Sequence, residues 1–167
     1  MELLELIQTL NAAHGPSGDE GGIRERLAEL ARPLADEIST DTMGNLIVRK
    51  LGSGPRVMLC AHMDSIGFIV THVEENGFLR VGRLGGISPK EAAFAGGARG
   101  VIVPEEKADF GKLKLDECYV DIGAKNRETA LKAVAVGDTM IYDSPCFTNQ
   151  GKVVSPYLDN RISCAIL

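Results

Sequence analysis

Arg56-Val57-Met58-Leu59-Cys60-Ala61-His62-Met63-Asp64 runs from a block of apolar residues straight into an H-x-D triplet. The block is β-rich and barely alternates, the pattern of a strand covered on both faces in an α/β sheet. Open α/β sheets place ligands beyond the carboxyl ends of their strands, so His62 stands where a ligand would bind. Side chains alternate along an extended chain, so Asp64 points to the same side as His62. A metal-bound imidazole needs an acceptor for its second ring nitrogen, and a carboxylate two residues on supplies one. Alone the spacing is a weak signal. A single histidine at a strand end is more often a structural residue with its hydrogen bonds satisfied.

Upstream of this run the apolar period is helical. Leu3, Leu6, Ile7 and Leu10 fall on one face of a helix over Glu2–Asn11. Gly15-Pro16-Ser17-Gly18 breaks it. A second helix spans roughly Glu20–Leu34, with Ile23, Leu27, Leu30 and Leu34 on one side and Pro33 fraying its end. From about Glu37 the period becomes that of strands. Asn45–Arg49 is one, and Gly52-Ser53-Gly54-Pro55 reads as a hairpin-like turn into Arg56–Cys60.

Downstream, between Ile66 and Val154, short strands dominate. Phe68–Val73 and Phe78–Val81 flank Glu74-Glu75-Asn76-Gly77, whose Asn-Gly pair signals a hairpin. Gly100–Val103, Cys118–Ile122 and Thr139–Tyr142 follow, with one short helix near Arg127–Lys132. The pattern is that of a small β-barrel or PDZ-like module inserted into the first domain. The expected organisation is residues 1–66 as the N-terminal part of an α/β domain, 67–154 as the insert, and 155–167 as the return to the first domain.

Composition narrows the class. The chain has 167 residues, a net charge of -5 and 44% hydrophobic residues, as in an ordinary soluble globular protein. That charge gives no reason to propose nucleic acid or an anionic membrane as partner. No apolar run approaches the roughly 20 residues that span a bilayer. Met1-Glu2-Leu3-Leu4-Glu5 lacks the basic start of a signal peptide. The four cysteines, Cys60, Cys118, Cys146 and Cys164, form no CxxC pair and read as small core residues in a reducing cytoplasm.

A second chemical stretch lies at the other end. Ser155-Pro156-Tyr157-Leu158-Asp159-Asn160-Arg161 reads as a site loop that enters an apolar helix over the last residues. That helix lacks the glycine cap and basic last turn of a usual helix end, so the chain is expected to be part of a longer protein. Asp159 could bridge two divalent cations, a common device for activating water. On local sequence alone the favoured reading is that Asp159 or Asn160 is only the N-cap of the apolar helix.

Ala61-His62-Met63-Asp64-Ser65-Ile66-Gly67-Phe68 and Leu158-Asp159-Asn160-Arg161 resemble two signature stretches of the M42 family of metallo-aminopeptidases. Pro16-Ser17-Gly18-Asp19-Glu20, Asp41-Thr42-Met43-Gly44-Asn45-Leu46, Gly85-Gly86, Val120-Asp121-Ile122-Gly123-Ala124 and Val136-Gly137-Asp138 are similar to its other landmarks, in order. The family includes glutamyl and deblocking aminopeptidases and some endoglucanase-labelled members. The resemblance implies part of a phosphorylase/hydrolase-like aminopeptidase α/β sheet carrying an inserted, PDZ-like oligomerisation domain. It implies His62 as a terminal metal ligand, Asp159 as the carboxylate bridging two divalent ions, zinc or cobalt, and Asp64 as the catalytic residue that orients His62. By analogy with related two-metal peptidases, the Asp159–Asn160 peptide is expected to be cis. The implied reaction removes the N-terminal residue of a peptide, in a homo-oligomer.

The chain also departs from that pattern. Family members are about twice as long, and their remaining ligands and general-base glutamate lie downstream of the Asp159 motif, so this chain alone is expected to be inactive. Glu74-Glu75 and Glu105-Glu106 precede that motif and read as solvated turn residues. Ser65 stands where the family often has glutamate, and Pro89–Phe110 looks shorter than the family's course. His14 reads as an exposed turn residue and His72 as a structural one. Ser17 and Ser155 lack the histidine and acid of a nucleophile elbow. No Walker A motif is present, and Gly82-x-x-Gly85-Gly86 is a poor phosphate loop. Two readings remain: the N-terminal portion of a two-metal aminopeptidase, or a non-catalytic self-association module. A glycoside hydrolase would need a carboxylate pair flanking a sugar site, and no such placement is evident.

Overall fold

Helix α1 (Leu3–Ala12) begins where the Glu2 amide donates to the Glu5 carboxylate at 3.2 Å, and it buries Ile7 and Leu10. The computed structural model describes residues 2–87, 94–95, 97–109 and 111–167. These fall into two compact units, one of Met1–Asp64 with Pro145–Leu167 and the other of Ser65–Ser144.

In the first unit, α2 (Gly21–Ala31) follows α1 and buries Ile23. It ends at Ala31, before the Pro33 that the sequence marks as disruptive. Strands β1 (Glu37–Thr40) and β2 (Leu46–Arg49) pair antiparallel. Asp41 organises their turn by accepting from the Met43 and Asn45 amides, both at 2.9 Å, and from Asn45 Nδ2 at 2.8 Å. Gly44 adopts φ +86° there, a conformation glycine enters at little cost. The Pro145–Leu167 part adds a hairpin of β3 (Phe147–Asn149) and β4 (Lys152–Val154), then helix α3 (Leu158–Ile166).

The expected strand over Arg56–Cys60 does not form. The backbone from Leu51 to Asp64 belongs to no strand, and Leu46–Arg49 pairs with Glu37–Thr40 instead. Val57, Met58 and Leu59 are 79%, 85% and 70% exposed. A doubly covered strand needs neighbours on both edges and layers on both faces. None of the described strands pairs with this run, so apolar content alone does not make it a sheet element. The core assignment of the cysteines is corrected with it: Cys60 is exposed, Cys146 and Cys164 are half-buried, and Cys118 alone of the four is buried.

Among the described residues, the second unit holds one antiparallel sheet of six strands. In chain order these are β5 (Gly67–Val73), β6 (Leu79–Leu84), β7 (Phe94–Ala95), β8 (Val101–Pro104), β9 (Cys118–Asp121) and β10 (Thr139–Ile141). Their order across the sheet is β7-β10-β5-β6-β9-β8. A short helix, α4 (Arg127–Ala130), is capped by Asn126, whose side chain accepts from the Thr129 amide at 2.9 Å. Phe68, Val70, Val73, Leu79, Val120 and Met140 are buried, and Tyr142 meets Phe68 edge-on at 5.8 Å. The Asn-Gly hairpin forms between β5 and β6, with Gly77 at φ +91° where a Cβ would meet the Ala124 carbonyl at 2.7 Å. The Pro89–Phe110 stretch lies partly outside the described residues.

The acidic pairs are not simply solvated. Arg80 on β6 donates to Glu74 at 2.6 Å, to Glu105 at 2.5 Å and to the Cys118 carbonyl at 3.0 Å. Glu74 and Glu105 thus clamp one half-buried guanidinium from two segments. Among the described residues, no helix is long and apolar enough to cross a membrane.

Candidate functional site

His62 has both ring nitrogens engaged by carboxylates. Nδ1 lies 2.9 Å from Asp64 Oδ1, and Nε2 lies 3.0 Å from Asp159 Oδ1. The second Asp64 oxygen accepts from the Ser17 hydroxyl at 2.5 Å. Four side chains from three separated stretches therefore form one line: Ser17, Asp64, His62, Asp159. All belong to the first unit.

Each position has a local cause. Ser17 sits on the Gly15–Gly18 break between α1 and α2. Gly15 and Pro16 are buried there, and a Cβ on Gly15 would meet Ile23 Cγ2 at 2.3 Å. His62 and Asp64 lie on backbone that belongs to no strand, and their side chains meet at 2.9 Å. The His62 carbonyl also accepts from Cys164 Sγ on α3 at 3.4 Å. Asp159 and Asn160 interrupt the start of α3, with ψ 106° and 29°, and their shared peptide is cis. Asp159 thus stands outside regular helical geometry, with its carboxylate at His62.

Arg161 secures this segment from within. It is 1% exposed and donates through Nη1 to the carbonyls of Leu10, Asn11 and Ala13, at the end of α1. Its guanidinium carbon lies 5.1 Å from the Tyr157 ring centroid. Carbonyls at a helix C-terminus carry partial negative charge and lack donors, so a cation there is stabilising. Burial is the main influence on Arg161 and lowers its pKa.

The electrostatics favour a charged line. Burial pushes the Asp64 carboxyl up, but the Ser17 hydroxyl and then His62 outweigh it and hold its pKa below the ordinary value. Partial burial pulls His62 down, while its bonds to Asp159 and Asp64 raise it above the ordinary imidazole value. With Nδ1 donating to Asp64, neutral His62 would turn a lone pair toward an oxygen of Asp159. Two acceptors 3.0 Å apart repel, so a cation belongs between them, either a second proton or a metal ion. Two donors on one tetrahedral ion, at bonds of about 2.0–2.2 Å, sit about 3.3–3.6 Å apart, slightly wider than the 3.0 Å approach of His62 to Asp159. The donor set fits a divalent cation in kind: imidazole and carboxylate suit zinc and its neighbours. It is small in number, since among the described residues no group of three or more His, Cys, Asp or Glu is arranged to hold a metal.

The structure brings together His62, Asp64 and Asp159, the residues singled out from sequence. It adds Ser17 and Arg161, which sequence reasoning did not place in the site. Both lie in stretches already notable, Pro16–Glu20 and Leu158–Arg161, but neither spacing revealed what they would touch. His14 sits beside Asp19 at 3.2 Å, and His72 is exposed on β5.

Comparison with known proteins places this geometry in context. A putative aminopeptidase of Acetivibrio thermocellus is 39% identical over 172 residues, covering 99% of this chain and 52% of that protein. A lysyl aminopeptidase of Pyrococcus furiosus is 36% identical over 176 residues, covering 95% and 51%. Among solved structures, the TET1 peptidase of Pyrococcus horikoshii, described as assembling into a tetrahedron or a large octahedral shell, superposes with a TM-score of 0.86 at 30% identity. The match covers 98% of this chain and 54% of that one. The chain thus spans about half the length of the curated relatives it matches. The family model described as M42 glutamyl aminopeptidase matches residues 44–167, and the chain belongs to that family.

Proposed function

We propose that this chain carries the N-terminal share of a metal-dependent aminopeptidase that removes N-terminal residues from peptides. In this reading His62, through Nε2, and Asp159 would hold the divalent metal centre, and Asp64 fixes the tautomer and orientation of His62. The observation that carries the reading is the 3.0 Å approach of His62 Nε2 to Asp159 while Asp64 occupies Nδ1. The names of its relatives support the peptidase activity. When bound, zinc or cobalt would supply an acidified water and an electrophile for the scissile carbonyl. The protein's own part is to present a neutral Nε2 and an ionised Asp159 in fixed positions. Further ligands and a general base are expected to lie outside these residues, so the chain by itself is proposed to bind metal without turnover. Unpaired cysteines are in keeping with a reducing cytoplasm.

The test is a zinc titration of the chain by competition with a chromogenic chelator. Wild type should bind zinc saturably, and His62→Ala and Asp159→Ala should each weaken binding by more than about tenfold. Equal binding by all three proteins would remove the metal reading.

A second reading, self-association, rests on the exposure of Val57, Met58 and Leu59. Contiguous apolar surface of this kind marks association sites. The six-stranded unit is proposed as the PDZ-like oligomerisation insert of a homo-oligomer, by analogy with the P. horikoshii peptidase and its shells. The two readings are compatible if the catalytic assembly is itself oligomeric.

A further inference from the structure

We propose that Ser17 is a positioning residue of the metal centre, acting on His62 through Asp64. The inference rests on the reading of His62 and Asp159 as ligands. Asp64 has two oxygens. One faces His62 Nδ1 at 2.9 Å, and the other is held by Ser17 Oγ at 2.5 Å. A carboxylate gripped at only one oxygen can rotate about its terminal torsion, which is broad and shallow. One gripped at both cannot, so the plane of Asp64, and with it the ring of His62, is fixed by the Ser17 hydroxyl. Metal-ligating histidines depend on this kind of outer support for ring orientation and tautomer.

The surrounding contacts explain why Ser17 can bear that role. Arg161 binds the carbonyls that end α1, four residues before Ser17, and stands two residues beyond Asp159. The path from Arg161 through the end of α1 to Ser17, Asp64, His62 and Asp159 therefore returns to its own segment. Three stretches remote in sequence are closed into a ring, in which the Ser17 hydroxyl is the donor that holds the second oxygen of Asp64. The Pro16-Ser17-Gly18 turn is thus more than a linker between two helices. It carries the donor that sets the geometry of a ligand 45 positions away, as the numbering of Ser17 and His62 gives (62 minus 17).

The test compares Ser17→Ala and Ser17→Thr with wild type in the whole chain, using two readouts. The first is the ¹⁵N spectrum of the His62 ring without metal, followed upward from neutral pH until the ring is neutral, since its two carboxylate partners raise its pKa above the ordinary value. Wild type should show a fixed Nδ1–H form, Ser17→Ala an average of the two tautomers, and Ser17→Thr the wild-type pattern. The second is zinc affinity, expected to fall about three- to tenfold in Ser17→Ala and to recover in Ser17→Thr. Unchanged spectra and affinity in Ser17→Ala would overturn the inference. So would a loss that Ser17→Thr fails to restore, since the hydroxyl would then not be the cause. If wild type binds zinc no better than His62→Ala, the metal reading itself fails. The ring spectrum alone then decides whether Ser17 orients His62.

Discussion

Arg161 ties the segment that carries Asp159 to the end of α1. It is almost fully buried, satisfies three carbonyls at the end of α1, and its Nε and Nη2 have no hydrogen-bond partner among the described residues. Replacing it by methionine keeps much of the volume but strips the donor from those carbonyls. Each unsatisfied buried group costs about 1–3 kcal/mol. Removing a cation whose burial is unfavourable offsets part of this. The expected net loss is about 2 kcal/mol, read as a lower urea midpoint with an unchanged slope. Arg161→Lys should recover only part of it, because an ammonium is more strongly hydrated than a guanidinium and loses the planar contact with the Tyr157 ring. The sequence marked Asp159 and left Arg161 unassigned for a physical reason. The H-x-D pair announces itself by short-range alternation. The partners of Arg161 lie about 150 positions away, where no local pattern reaches.

At the level of elements, the β1–β2 turn responds to pH through Asp41. Asp41 accepts from Asn45 and Met43, and bonds to the Asn45 side chain and amide hold its pKa below the ordinary carboxylate value. A depressed pKa means that the stabilisation is complete above the unfolded value, about 3.9, and is lost as pH falls through the lower folded value. The Met43 and Asn45 amide shifts should therefore hold steady from neutral pH to about 4 and move together below it. In Asp41→Asn they should stay flat across that range. Elements with a clear period or turn signal were legible in advance: both N-terminal helices, the Asn-Gly hairpin and most strands of the six-stranded sheet. The hairpin Phe147–Val154 was not, because its strands are only three residues each and exposed, so they carry no alternating pattern to read. Arg56–Cys60 failed in the opposite sense. Its composition is that of a strand, but strands are made by their neighbours, and pairing is a property of the sheet rather than the run.

Across the whole molecule, the exposed apolar run is the main liability for behaviour in solution. Val57, Met58 and Leu59 stand outside both sheets of the first unit. Isolated apolar residues on a surface are ordinary, but three in succession present a site for association. A Val57→Lys, Leu59→Lys double variant should sediment as a smaller species than wild type at matched concentration, with the melting temperature little changed. Unchanged sedimentation would assign association to another surface. Family membership rests on motifs spread over the whole chain, which is why it could be read before any contact was known.

The cysteines, finally, offer a chemical handle. Burial raises the pKa of the Cys118 and Cys164 thiols, which slows their reaction with electrophiles, while Cys60 is exposed. A maleimide dye supplied at limiting amount should attach at Cys60 ahead of those two. It would then sit two residues from His62, on backbone bound by no strand. Ordering of the His62–Asp64 segment could be followed as a change in fluorescence anisotropy, without substituting a single residue of the native sequence.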